Sequence, residues 1–172
     1  MCSSDLVTAF PIVNIPNLTL DTYSLGRGSQ DSFCYWLEKK LGTLGRFSPG
    51  LAGTTVYGVY FSHEQNAFVS TDKTPQQKLD DIKSALNTLL TTQNYTDAAA
   101  IFRKSFILKI LSTYFPNEYF PIFSQNHLKL IAKIFEINTN GLDDIQLNKK
   151  INEKFLEMKA NHSSSISNFD FM

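Results

Sequence analysis

The sequence predicts an α+β fold in which a small, mostly antiparallel sheet is packed by helices and the C-terminal half is helical. Three features carry that expectation. Phe33, Trp36, Leu37 and Leu41 recur at helical spacing just before a glycine-rich turn. Thr54–Phe61 and Ala67–Ser70 are rich in β-branched and aromatic residues and flank a short polar connection, the pattern of a hairpin. After Thr74, apolar residues fall in successive stripes of helical period.

With 172 residues the chain is long enough for one domain with a real core. Sixteen basic and sixteen acidic side chains cancel, so the chain lacks the basic excess by which a free-standing nucleic-acid binder usually announces itself; a basic patch on a neutral domain stays open. Cys2 and Cys34 have neither metal-ligand spacing nor the dense pattern of a secreted disulfide scaffold, and His63, His127 and His162 are scattered. No basic-then-apolar leader and no long apolar window occur, so the expectation is a reduced, cytoplasmic chain without a membrane partner.

Residues 1–24 alternate irregularly around Pro11 and Pro16; Leu6-Val7, Ile12-Val13 and Leu18-Thr19-Leu20 are read as short strands or an extended arm. Gly26-Arg27-Gly28 is a break without the strand and third glycine of a dinucleotide fingerprint. Asp31 is the expected cap of the next helix and Gly42 its end. Gly42–Gly53 is a loop, and Gly58 marks a bulge or a close backbone approach. Thr74, Pro75 and Gln77 form a helix start of the capping-box type, with Leu79, Ile82, Leu86 and Leu89 on one face to about Thr92. Further helices are expected over about 97–114, after Ser124 and over about 143–159. Residues 161–172 are serine-rich and read as a linker. No internal repeat is present.

Ser32-Phe33-Cys34-Tyr35-Trp36-Leu37-Glu38, then Leu41-Gly42-Thr43-Leu44-Gly45, then Val56-Tyr57-Gly58-Val59-Tyr60 follow one another here. This series resembles the N-terminal region of McrB-like proteins, the AAA+ GTPase subunits of modification-dependent and related restriction systems, where it reads approximately FCYWLE, LG and GGSxxKFGIY. Ile101–Leu111 and Pro121-Ile122-Phe123 resemble that family's WKIAFLY helix and PIF segment. The likeness covers residues 31–138. Val56 stands where the family has a lysine, and the tryptophan of the helix is Phe102 or missing. No GxxxxGK[ST] loop occurs, so nucleotide hydrolysis would lie in a C-terminal AAA+ part outside this chain.

The resemblance implies a non-catalytic recognition domain over residues 1–160, helical from about 74 to 159, joined by 161–172 to a motor that brings a nuclease subunit. It would need no cofactor and would bind double-stranded DNA, reading a modified base flipped into an aromatic pocket. Extrusion costs a few kcal/mol, and a stacked base recovers on the order of 1–3 kcal/mol. Tyr57, Tyr60, Phe61 and Phe68 supply aromatic groups, and Arg46 in the glycine loop is the best-placed cation. Lys39 and Lys40 are further candidates, although a wet helix face is the plainer reading of both.

Trp36, between Phe33 and Leu37, is expected in the core. Tyr57 and Tyr60 fall on opposite faces of a regular strand, so one of them belongs to the core unless Gly58 re-aims it. Arg103, Lys104 and Lys109 interrupt an apolar helix and must surface. No nucleophile elbow, paired-carboxylate spacing or PD-(D/E)xK pattern points to an enzyme. The rival reading is an adaptor that binds a protein partner through aromatic surface, favoured by zero net charge and fourteen Phe.

Overall fold

The computed structural model describes residues 3–41 and 54–161. Arg46, the Gly42–Gly53 loop, Cys2 and the 162–172 tail lie outside the described residues. The fold is α+β, with helices far outweighing one two-stranded antiparallel sheet. The chain divides into two compact units, Met1–Arg103 and Lys104–Met172.

In the first unit the N-terminal arm is helical rather than extended. Helix α1 (Ser3–Ala9) leads into a 3-10 turn (Ile12–Asn17) and a one-turn helix α2 (Leu20–Tyr23). Thr19 caps α2 with a reciprocal Thr19–Thr22 box. Leu6, Ile15, Leu18 and Tyr23 are buried, a spacing that fits neither the helical nor the strand period because three short elements share the work.

Next comes α3 (Phe33–Tyr35), running directly into a π-helical stretch, Trp36–Lys40. The cap is Ser32, whose hydroxyl accepts from the Tyr35 amide at 3.3 Å; Asp31 pairs with Lys40 instead. Closing with Leu41 N–H on the Trp36 carbonyl at 3.0 Å widens the turn. Phe33, Leu37 and Leu41 remain buried, while Trp36 sits half-buried at the rim rather than in the core.

The expected first strand is partly helix: α4 (Thr54–Tyr57) precedes β1 (Val59–Ser62), which pairs with β2 (Ala67–Ser70). The register sets Val59 opposite Ser70, Tyr60 opposite Val69, Phe61 opposite Phe68 and Ser62 opposite Ala67. Gly58 is the joint between α4 and β1. Its φ is +75°, and a Cβ there would stand 2.9 Å from Ile82 Cδ1 and 3.2 Å from Ile101 Cγ2, so the close approach is real and the bulge is not.

Helix α5 (Pro75–Thr92) follows its sequence signals, with the Thr74–Gln77 box formed and Leu79, Ile82, Leu86 and Leu89 buried. The single helix expected over 97–114 is two, α6 (Thr96–Ile101) and α7 (Lys104–Tyr114), because Phe102 turns extended at φ −114°, ψ 154° and is buried. The break coincides with the boundary between the units.

In the second unit, α7 is buried along most of its length. Helices α8 (Gln125–Ile134) and α9 (Asp144–Asn161) pack on each other, and α7 packs on α9. Asp143 and Gln146 cap α9 reciprocally, each backbone amide donating to the other's side chain at 3.0 Å. Phe120 and Phe155 meet edge-on at 5.4 Å. Asn148, buried, clamps the 120–122 segment: its amide donates to the Phe120 and Ile122 carbonyls and its oxygen accepts from Phe120 N–H, each at 2.8 Å. The corner so held places Phe123 4.9 Å from Lys109 Nζ.

Lys109 does not surface as expected. It is fully buried, and burial pulls its ammonium down from 10.5 to about 8. Between those values the unfolded chain holds the proton and the folded chain releases it, so stability rises with pH from about 8 to 10.5. Urea titrations across that window are expected to show this slope in the native protein and a flatter one in Lys109→Met. Parallel slopes would mean that the ammonium is solvated.

Candidate recognition surface on the hairpin

The candidate site belongs to the first unit and is built on β1 and β2. Alternation along β1 puts Phe61 on one face with its cross-strand partner Phe68, and Tyr60 on the other. The two phenyl rings meet edge-on at 5.2 Å, and His63 at the exposed tip touches Phe61 edge-on at 5.6 Å. Phe61 and Phe68 are both only half-buried.

Arg27 lies over this pair. Its guanidinium carbon stands 5.9 Å from the Phe61 centroid and 5.7 Å from that of Phe68. The backbone places it there. Phe61 N–H donates to the Leu25 carbonyl at 3.0 Å, which docks the segment before Arg27 against β1. Gly26 permits that approach with φ +106°, where a Cβ would fall 2.5 Å from the Phe61 carbonyl oxygen. Asp21 pairs with the guanidinium at 2.5 Å, both side chains being more than half exposed. A pair so wet contributes at most about 1 kcal/mol, so Asp21 positions the cation without sequestering it. Sequence reasoning passed over Arg27 except as part of a glycine-flanked break. The two glycines on either side of one arginine were the available signal.

The other candidates do not converge on this face. Tyr57 is wholly buried in α4; its carbonyl accepts from Tyr23 O–H at 2.6 Å and its own hydroxyl donates to Glu38. Burial first and the Glu38 carboxylate second push its phenol far above the ordinary range, and burial does the same to the Cys34 thiol. Tyr57 is therefore core, and the parity argument drawn from a regular strand does not apply to it. Tyr60 is half-buried on the opposite face from Phe68.

Lys39 pairs with Glu38 at 2.7 Å, which raises its pKa. Lys40 pairs with Asp31 at 2.7 Å and lies 4.0 Å over the Trp36 ring. Both lysines therefore meet a carboxylate, and Lys40 and Trp36 form a second, smaller cation–aromatic pair. Among the described residues no group of three or more His, Cys, Asp or Glu could hold a metal ion, and no helix is long and apolar enough to cross a membrane.

What this face offers chemically is two half-buried rings set edge to face, with a half-exposed guanidinium over them. Such a surface can stack a planar ring and bond an anionic oxygen at once. No family model matches the chain, no curated protein matches it, and no solved structure matches it.

Proposed function

We propose that the chain is a non-catalytic DNA-recognition domain, of the kind its FCYWLE-to-YGVY stretch resembles, in which the Arg27–Phe61–Phe68 face meets the DNA. One observation carries the reading: a guanidinium just before that stretch laid over a cross-strand pair of half-buried aromatic rings just after it. Arg27 would take a phosphate or a base edge, and the rings would stack a base that has left the duplex. Motor and nuclease functions would come from partners. Zero net charge favours a second reading, in which the same face binds a protein.

Salt separates the two readings. Phosphate-driven binding weakens steeply with ionic strength, whereas an apolar interface barely responds. Fluorescence anisotropy at low and moderate salt, with duplexes carrying cytosine, methylcytosine or hydroxymethylcytosine, is expected to show salt-sensitive binding and to identify the base that is read. Arg27→Ala is expected to weaken binding about tenfold and to lower the salt slope by about one. Silence on every duplex at low salt would sink the DNA reading in favour of the protein one.

A further inference from the structure

Helix α8 is apolar on two sides. Leu128, Ala132 and Phe135 face the core of the second unit and are buried. On the far side Leu130 and Ile134 are 56% and 64% exposed, one helical turn apart and so on one stripe. A helix with apolar residues on opposite faces has room for a second partner. Scattered exposed leucines need no explanation. This pair has a specific flank.

Beside it on the same helix run Lys129 and Lys133, also one turn apart and both exposed. Four other lysines of this unit meet carboxylates: Lys104 with Asp143, Lys149 with Glu118, Lys150 with Glu153 and Lys154 with Glu157. Neither Lys129 nor Lys133 has an ion pair among the described residues. Both line a cavity of about 590 Å³ between α8 and the start of α9, to which Ile137, Leu142 and Leu147 contribute apolar side chains and Thr139 and Asp144 polar ones. Gln125, which donates to Asp144 at 3.1 Å, closes one wall.

From this arrangement we infer that the outer face of α8 docks an acidic, amphipathic helical segment of a protein partner. Its apolar residues would cover Leu130 and Ile134, one large apolar side chain would enter the cavity, and its carboxylates would meet Lys129 and Lys133. Charge selects this occupant. A second copy of this chain docking face to face would set lysine against lysine, which is repulsive. A nucleic acid would use the lysines but leave the aliphatic stripe in water. This surface lies in the second unit, whereas the proposed DNA face lies in the first, so the two assignments stand or fall separately.

The test uses the full chain and a fluorescein-labelled amphipathic peptide of Leu, Phe and Glu, with a second peptide in which Lys replaces Glu. The acidic peptide is expected to bind and the basic one to fail. Lys129→Glu with Lys133→Glu, and separately Leu130→Asp, are expected to weaken the acidic peptide about tenfold or more. All three positions are exposed, and unchanged thermal melts would show that the variants fold. Equal binding of both peptides, no binding of either, or binding indifferent to the substitutions would overturn the assignment. Two further results would also overturn it: self-association of the unmodified chain in sedimentation that Ile134→Asp abolishes, which would give the face to a second copy, or duplex binding lost in the double lysine variant with peptide binding unchanged.

Discussion

Asn148→Ala is expected to cost about 3 kcal/mol or more, read as the shift in a urea or thermal unfolding transition. The side chain is wholly buried and satisfies three backbone groups, Phe120 N–H and the carbonyls of Phe120 and Ile122, each at 2.8 Å. Alanine removes all three bonds; the Phe120 carbonyl keeps the Ile122 N–H at 2.8 Å, whereas Phe120 N–H and the Ile122 carbonyl lose their bond to Asn148. Each buried group left unsatisfied costs roughly 1–3 kcal/mol. Asn148→Asp makes the test sharper. One carboxylate oxygen can still accept from Phe120 N–H, but the other would face two carbonyl oxygens with no proton to offer them. The acid is therefore favoured protonated in the folded state and its pKa is raised. Its stability is full below the unfolded carboxylate range and is lost as pH rises through the folded value. Near neutral pH the aspartate variant is expected to be weaker than alanine, and in mild acid to overtake it. A loss under about 0.5 kcal/mol for alanine would mean that water replaces the amide without penalty.

Gly26→Ala is the second large effect, about 2–4 kcal/mol, with loss of the Arg27 contact to the rings. Two costs combine. A φ of +106° is poorly suited to any side chain, and the added Cβ would sit 2.5 Å from the Phe61 carbonyl oxygen. That oxygen belongs to β1, so relief requires moving the backbone that Phe61 N–H ties to Leu25 at 3.0 Å. Gly28→Ala is the internal control: φ is +80°, yet nothing lies within 4 Å of its Cβ, so only the backbone term applies. Equal melting temperatures for the two variants would show that crowding against Phe61 is not what holds this segment. If the proposed DNA face is right, Gly26→Ala should also weaken duplex binding as Arg27→Ala does, whereas Gly28→Ala should spare it.

Elements written in local chemistry were legible. The start and end of α5 follow from Thr74, Pro75 and Gln77 and from an apolar stripe that stops at Thr92, because a cap and a periodic face are satisfied within a few residues. The hairpin's turn region and its β2 run were readable for the same reason. Thr54–Tyr57 was not: β-branched residues favour strand, but Tyr57 is buried with its hydroxyl on Glu38 and Gly58 swings the chain into β1, so tertiary packing overrode propensity. Lys109 was misplaced because a charged residue on an apolar helix was assigned to solvent, whereas α7 is buried along most of its length and takes the lysine with it.

The candidate site divides along the same line. Sequence alone determined the class of fold, the aromatic richness of the hairpin and the helical character of the chain after Thr74. Only the tertiary structure decided which aromatics share a face, that Tyr57 leaves the surface, and that Arg27 rests on Phe61 and Phe68. The reason is physical. Propensity, caps and periodicity act between near neighbours, whereas a cation above two rings depends on a backbone contact between segments far apart in the chain.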